Sequence, residues 1–421
     1  MTPPPVSLDA IRAAREAIAS EIRLTPAWPP ATLEAAVGHP VMLKCEQMQL
    51  TGSFKVRGAL NVVRQLSPAE RARGLVAASA GNHAQGVALA GRKAGLSVTV
   101  VMPAFAPLAK VTATREYGAK VVLHGASLEE ARDEALAIAD RERSVYIPPF
   151  DDDAVIAGQG TLGLELLEQV PDMKEVLVPT GGGGLLAGVA VAIKSLRPDV
   201  RVIGVQTSAM DGVRQSLSQH RPVAVTPRRT IADGVAVAGP SERTLGLIER
   251  YVDDVVAVGD EAIAHAIVLL IEKSKVIAEG AGALAVAALQ SGAYRPNGLC
   301  VAVLSGGNID INLLGSIVRR GLVDAGRYRH LTLEVADTPG ELALVASAIA
   351  DAGGNILEVD HHRDAPGMPI GVAVLDLLME VNGESHFQEV VQALREKGLR
   401  GVPGSSARLA TGDARRLHLT D

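Results

Sequence analysis

Aromatic residues make up only 2% of the chain, so its hydrophobic cores must be built from Ala, Val, Leu and Ile. Two cysteines, Cys45 and Cys300, are too few for a disulfide framework, which fits a reducing cytoplasm. Lys and Arg form no basic patch, and the net charge of −6 argues against nucleic acid or an anionic membrane as the main partner. Because the N-terminal segment also lacks an apolar stretch of the signal-peptide type, we expect a cytoplasmic protein with small-molecule partners.

One uncharged segment, residues 176–193, is long enough to imitate a membrane span. It contains Pro179 and then four consecutive glycines. This pattern favours a buried strand, a loop and a buried helix, so we expect no membrane span.

The 421 residues exceed what one core usually holds, which predicts two or three domains. Between about residues 40 and 325, β-branched runs alternate with Ala-rich helical stretches. This alternation predicts an α/β fold with parallel sheets, in which loops leaving the strands carry the chemistry. The predicted interior strands are Val98–Met102, Lys120–Leu123, Glu175–Val178, Val202–Val205 and Leu299–Leu304, and the predicted helices are Asn82–Ala94, Leu128–Ala139, Leu185–Leu196 and Glu261–Ser274.

The pattern changes near residue 326, where half-exposed strands and amphipathic helices begin. The order there is βαββα with a last short strand near Arg400. We therefore predict a separate small domain over residues 327–405 and a loose polar tail over 406–421.

Lys55 follows Gly52, Ser53 and Phe54 at the point where a turn enters a helix. The positive end of the helix and partial burial would both lower its pKa, as an amine that forms a Schiff base requires. Taken alone, Lys55 is more simply explained as a surface lysine in a first helical turn.

The segment 77–86 reads as a strand, a loop and a helix that begins near Asn82. The loop's backbone N–H groups and the Ser79 hydroxyl would converge on an anion such as a carboxylate, and Asn82 could donate to a phenolate-like oxygen. Simple N-capping by Ser79 or Asn82 is the alternative. His83 is as readily a satisfied histidine at a helix start as a functional one.

Four consecutive glycines, Gly181 to Gly184, are costly unless backbone must wrap closely around a group. At a helix N-terminus that group is a phosphate, with a plain tight turn as the alternative. The spacing Gly182, Gly184, Ala187 also matches a dinucleotide fingerprint, but the next strand ends in Gln206 instead of the acid that binds ribose.

A third strand leaves through the small-residue loop at Ser305, which could meet a heteroatom or merely cap a helix. Together the loops predict a site for one ligand that carries an aldehyde, a phosphate, a ring nitrogen and a ring oxygen. Pyridoxal phosphate has all four, so we predict it as the cofactor.

These motifs resemble those of the threonine/serine ammonia-lyases (threonine dehydratases) of the type II pyridoxal-phosphate fold, in the form that ends in one ACT domain. The resemblance spans nearly the whole chain. It implies a two-lobed catalytic domain over residues 1–326, with the smaller lobe at about 52–152, and a ferredoxin-like βαββαβ ACT domain. It further implies elimination of water and ammonia from threonine or serine, in amino-acid metabolism such as isoleucine biosynthesis.

The resemblance assigns roles to individual residues. Lys55 would be the Schiff-base lysine and catalytic base. The other cofactor contacts would be Phe54 on the ring, Asn82 at the 3-oxygen, Ser305 at the ring nitrogen, and Gly181, Gly182, Gly183 and Gly184 at the phosphate. The loop of Ser79, Ala80, Gly81, Asn82 and His83 would receive the substrate carboxylate.

Ala80 distinguishes this chain from the serine racemases of the same fold, which carry there a serine that acts as a second acid/base. We therefore expect inefficient racemisation. Those racemases also bind a divalent metal after the corresponding strand, where this chain has Gln206 and Gly212 and only Asp211 as an acid. We predict no metal.

The ACT resemblance implies a homodimer or homotetramer with an amino-acid effector, or a purely structural dimerisation domain. Four rival functions stay open: a serine racemase, a hydroxyaspartate dehydratase, a β-replacement synthase that adds a nucleophile, and a cofactor-carrying amino-acid sensor with little turnover.

Overall fold

The computed structural model describes residues 6–363 and 369–403. The chain divides into two compact units, residues 1–310 and 311–421. This division lies before the helix Ile311–Asp324, whereas the boundary predicted from the sequence lies after it, near residue 326. The predicted loose tail, residues 406–421, lies outside the described residues.

The first unit contains ten strands and thirteen α-helices within the described residues. The strands are β1 Ala27–Trp28, β2 Val41–Cys45, β3 Leu75–Ala78, β4 Val98–Met102, β5 Lys120–Leu123, β6 Val145–Tyr146, β7 Glu175–Pro179, β8 Arg201–Thr207, β9 Asp254–Val258 and β10 Cys300–Leu304. The helices are α1 Leu8–Ile18, α2 Ala31–Val37, α3 Lys55–Gln65, α4 Pro68–Arg73, α5 Asn82–Ala94, α6 Leu108–Glu116, α7 Leu128–Glu142, α8 Asp153–Gln169, α9 Gly184–Leu196, α10 Gly212–Gln219, α11 Glu242–Tyr251, α12 Asp260–Leu269 and α13 Gly280–Gln290.

These strands form two sheets, as the alternating pattern predicts. The larger sheet has the order β1-β2-β10-β7-β8-β9 and is parallel except for the short β1. The smaller sheet, β5-β4-β3-β6, is parallel throughout. The central strands are rich in Val, Leu and Ala that are almost fully buried, because helices cover both faces of a parallel sheet. The predicted α/β fold with parallel sheets is confirmed.

Helix α5 and strand β4 have the bounds that the sequence pattern predicts. The prediction of Lys120–Leu123 as an interior strand is wrong, because β5 lies at the edge of its sheet and exposes both of its end residues. Glu261–Ser274 begins as α12 but widens into a π-helical turn at Leu270–Ser274.

The uncharged segment 176–193 is divided between β7 and α9, as predicted, and almost all of it is buried in the larger core. No helix among the described residues is both long and apolar enough to cross a membrane.

The second unit has the order α14 Ile311–Asp324, β11 Tyr328–Ala336, α15 Glu341–Asp351, β12 Asn355–His362, β13 Val372–Glu380, α16 Glu384–Glu396 and β14 Arg400–Pro403. Its four strands form an antiparallel sheet with the order β12-β13-β11-β14. One face of that sheet packs on α15 and α16 around a core of its own. The predicted βαββα order with a short last strand is therefore present.

Candidate active site

Lys55 is the first residue of α3, and it reaches the cavity beside the exit loop of β10. A bridge between Ser53 and Gly306, together with the bond from the Phe54 N–H to the Ser305 carbonyl (3.1 Å), brings the two segments together. The Lys55 amine donates to the carbonyl of Pro149 at 2.8 Å. Burial lowers the pKa of Lys55 to about 8, although the nearby Glu279 carboxylate opposes the shift. Such an amine has a much larger neutral, nucleophilic fraction at neutral pH than an exposed lysine.

All of the residues that the sequence analysis predicts to bind cofactor or substrate line one cavity of about 280 Å³. The cavity lies where loops after β3, β7 and β10 converge, at the carboxyl ends of strands from both sheets. Its lining includes Phe54, Lys55, Ser79, Ala80, Gly81, Asn82, His83, Gly181, Gly182, Gly183, Gly184 and Ser305.

The tetraglycine segment connects β7 to the first turn of α9. Gly183 has φ +93°, and a Cβ on Gly182 would lie 2.4 Å from the Phe150 ring. A Cβ on Gly184 would lie 2.8 Å from the Phe150 Cβ. Side chains are therefore excluded here, and the cavity receives bare backbone at the positive end of a helix, a suitable cradle for a phosphate.

The loop before α5 does not use its polar side chains as helix caps. Gly81 is the N-cap residue, and the Ser79 hydroxyl only accepts from the Gly81 N–H at 3.1 Å. The Asn82 amide instead donates to Glu279 at 2.6 Å. The alternative that Ser79 or Asn82 caps the helix is therefore wrong, and Asn82 keeps its side chain in the cavity.

His83 lies at the buried wall of the cavity, where its Nε2 is 2.9 Å from the carbonyl of Ile147. Burial and the neighbouring Lys55 charge lower the pKa of His83 to about 3. The ring is therefore neutral at physiological pH, and its Nε2–H donates to that carbonyl.

Two residues that the sequence interpretation left unassigned, Glu279 and Asn308, complete the polar wall. Burial, and then the charge of Asp233, raise the pKa of Glu279 to about 7. Asn308 donates to the Asn82 side chain and to the Thr51 carbonyl, both at 2.7 Å. Two features of the sequence could have pointed to these residues. Glu279 is the one acid inside an apolar run, and Asn308 follows Ser305 by three residues in the same loop.

Lys110 and Asp233 also line the cavity and form an ion pair between α6 and the 3₁₀ turn Asp233–Val235. Spacing along the sequence gives no sign of this pair, because its members are far apart in the chain. Within the cavity, the Asp233 charge raises the pKa of Glu279 and the Lys110 charge lowers it.

The segment considered for a metal has its polar atoms engaged by its own neighbours. Gln206 donates to the Met210 carbonyl at 3.2 Å and accepts from the Arg214 N–H at 3.0 Å. Asp211 pairs with the Arg214 guanidinium at 2.9 Å and accepts from Gln215 at 2.7 Å.

The cavity fits the groups of pyridoxal phosphate. It offers a buried amine at Lys55 for an aldehyde, bare glycine backbone for a phosphate, and the amide of Asn82 for a ring oxygen. Ser305, which is 3% exposed, supplies a hydroxyl at the exit of β10.

Comparison with known proteins agrees with this fit. The family model described as "Pyridoxal-phosphate dependent enzyme" matches residues 18–306. The L-threonine ammonia-lyase of Thermotoga maritima is 46% identical over 93% of this chain and 98% of its own. The catabolic L-threonine dehydratase TdcB of Escherichia coli K12 is 44% identical over 76% of this chain and 98% of its own. The structure of maize serine racemase is 33% identical, with a TM-score of 0.71 over 76% of this chain and 99% of that chain.

We expect Gly182→Ala to weaken pyridoxal-phosphate binding by at least about tenfold, because the new Cβ would collide with the Phe150 ring and displace the cradle. Titration of the cofactor's absorbance checks this. Gly246→Ala is the matched control, since a Cβ on that glycine in α11 meets nothing within 4 Å. Equal cofactor affinity in both variants would contradict the proposed cradle.

Proposed function

Because the chain belongs to the pyridoxal-phosphate-dependent enzymes, we propose that it is an ammonia-lyase that converts L-threonine to 2-oxobutyrate and ammonia, and L-serine to pyruvate and ammonia. Its cofactor is pyridoxal 5′-phosphate. The substrate assignment is supported by the relatives named for threonine, which are 44–46% identical over most of the chain.

The observation that carries the proposal is the amine of Lys55, which has a lowered pKa and lies in a cavity where Ala80 has no proton to give. The bound cofactor withdraws electrons from the substrate's Cα and thereby acidifies its α-hydrogen. Lys55 would remove that proton as the β-hydroxyl leaves. The hydroxyl would leave with a proton as water, and water would then hydrolyse the released aminoacrylate-type product to a 2-oxo acid and ammonia.

Ser305 supports elimination over reactions that need a long-lived carbanion. A serine at the ring nitrogen cannot protonate it as an aspartate would, so the cofactor would be a weaker electron sink. Loss of the hydroxyl together with the proton avoids that carbanion.

The loop of Ser79 to His83 would bind the substrate carboxylate. It leads into the N-terminus of α5, where backbone N–H groups favour an anion. His83 is neutral and anchored to Ile147, so in our proposal it shapes the loop and carries no charge.

We expect the purified enzyme to release 2-oxobutyrate from threonine, and Lys55→Ala to lose both this activity and the absorbance of the covalently held cofactor. The exposed Lys93 on α5 provides the control, because Lys93→Ala should leave both measurements unchanged. A 2-oxo-acid assay with threonine and serine checks this. Without oxo acid from either substrate the assignment fails, and full turnover by Lys55→Ala would overturn the mechanism.

Ala80→Ser should increase the rate at which L-serine is converted to D-serine, because the new hydroxyl supplies a second acid/base in the cavity. Chiral chromatography of the remaining serine measures the change, with deamination followed in the same sample. An unaltered racemisation rate would count against our use of Ala80 to separate this chain from the racemases.

For the second unit, we propose an ACT domain that pairs with a second copy and binds an amino acid. The βαββαβ order supports this, as does the edge strand β12, which exposes Leu357 (38%) and Val359 (40%). An exposed apolar edge strand is a template for pairing with another chain.

Isoleucine or valine should then change the KM for threonine by at least about fivefold, the lower end of usual allosteric coupling. Kinetics with and without each amino acid, together with the mass of the particle in solution, check this. Val359→Lys, which places a charge on the proposed edge, should reduce the response. A monomeric enzyme whose KM for threonine does not change with either amino acid would refute the proposed ACT function of the second unit.

A further inference from the structure

Four ionisable side chains are buried together beneath α3, on the side away from the cavity. They are Lys44 at 0%, Glu46 at 0%, Arg57 at 0% and Glu165 at 5% exposure. They come from β2, the 3₁₀ turn Glu46–Met48, α3 and α8, so this buried ion network joins four elements. With two cations and two carboxylates, its formal charges cancel.

Arg57 uses every donor of its guanidinium. It forms two bonds to Glu46 (2.7 and 2.8 Å), two to Glu165 (2.6 and 2.9 Å), and one to the hydroxyl of Thr161 (3.1 Å). Lys44 likewise donates to Glu165 at 2.6 Å, to the Thr25 carbonyl at 2.8 Å and to Gln169 at 2.9 Å. When every donor and acceptor in such a network is paired, the elements that carry the side chains can adopt very few relative positions.

Stability alone does not account for such a network. Removing charges from water costs several kcal/mol per ion, roughly what the pairing returns, and apolar replacements of similar volume are often as stable or more so. Buried ion networks are best understood where they fix one arrangement of the chain.

Arg57 follows Lys55 by two residues, and at 100° per residue the two side chains leave opposite sides of the helix. Lys55 faces the cavity while Arg57 faces the network. Between them the backbone is tightly packed, since a Cβ on Gly158 would lie 2.7 Å from the Arg57 carbonyl oxygen. A Cβ on Gly86 would lie 3.1 Å from the Lys55 carbonyl carbon, so α5 presses on the same turn.

The network is also linked, through the length of α8, to the segment that contains the hydrogen-bond acceptor of the Lys55 amine. Glu165 lies on α8, which begins at Asp153. Immediately before that helix, the Pro149 carbonyl accepts from Lys55 and the Phe150 ring packs over the tetraglycine loop. One set of ion pairs thus connects the helix that carries the amine with the helix that follows its acceptor.

We propose that Arg57 is a positioning residue: through Glu46 and Glu165 it fixes the first turn of α3, and so places the Lys55 amine against Pro149 in the cavity. The inference rests on the proposed function only in taking Lys55 as the reactive amine.

The test replaces the network by apolar side chains of similar size in one variant, Lys44→Met, Glu46→Met, Arg57→Met and Glu165→Met. The full-length chain, freed of cofactor, is labelled with trace acetic anhydride at a series of pH values, and the extent at Lys55 is read by mass spectrometry. Labelling of the exposed Lys93 in the same sample normalises the dose. In the wild type the Lys55 reactivity should titrate near its pKa of about 8.

In the variant we expect the Lys55 midpoint to rise by at least about one pH unit, because a displaced amine regains water. The kcat for threonine should fall by at least about tenfold while KM changes less than about threefold, since the loss affects the reacting group and not substrate binding. The midpoint of urea unfolding should not decrease. Arg57→Lys, which keeps the charge but cannot bridge two carboxylates through a planar fork, should show a smaller shift of the same sign.

Tyr294→Phe is the matched control. It removes the bond from the Tyr294 hydroxyl (2.7 Å) to another buried carboxylate, Glu175, at the amino end of β7 and thus at the sheet edge opposite the cavity. It should leave Lys55 labelling unchanged. A network variant with the wild-type labelling curve would overturn the proposal, as would a shift that appears only with an equal loss of stability.

The labelling experiment contains neither substrate nor cofactor. A failed threonine assay with a shifted Lys55 curve would therefore reject the proposed substrate and leave the positioning role intact. If the enzyme turns over threonine but the variant's Lys55 labelling curve is not shifted, the substrate assignment stands and the positioning role of Arg57 is rejected.

Discussion

In our proposal, the geometry of the site depends on the ion pairs between the Arg57 guanidinium and two buried carboxylates, Glu46 and Glu165. All five N–H donors of the Arg57 guanidinium are hydrogen-bonded, so the first turn of α3 has little freedom to rotate or slide. Glycines at positions 58, 86 and 158 let neighbouring helices approach that turn at backbone distance. Lys55 lies on the opposite side of the same turn, so its backbone is held in place as well. A reactive amine needs such a fixed position without a strong anion paired to it.

The cavity joins this amine to loops that come from both sheets. In parallel sheets the chain leaves every strand at the same edge, so segments more than a hundred residues apart meet there. The result is a division of chemistry: bare backbone at Gly181 to Gly184 for an anion, amides at Asn82 and Asn308 for oriented hydrogen bonds, and titratable groups at Lys55 and Glu279. Burial moves the pKa values of these last two towards each other, to about 8 and about 7, so both can exchange protons near neutral pH.

The sequence predicts much of the fold, because strand and helix periods are local properties. It predicts the strand-exit loops of the site for the same reason, since glycines and small polar residues after apolar runs are visible along the chain. It misses contacts between distant residues. Glu279 meets Asn82 across 197 positions and Arg57 meets Glu165 across 108, and no spacing along the sequence encodes either contact. The edge position of β5 was also missed, because strand order is set by how helices cross the sheet and not by the composition of one strand.

The proposed chemistry depends on Lys55 as the amine that holds pyridoxal phosphate. The most direct measurement incubates the enzyme with the cofactor, reduces it with borohydride to make the attachment permanent, and maps the modified lysine by mass spectrometry. Lys110 lines the same cavity and is the natural internal competitor. We expect one stoichiometric modification, on the peptide that contains Lys55. Modification of Lys110 instead, or none within the cavity, would contradict it.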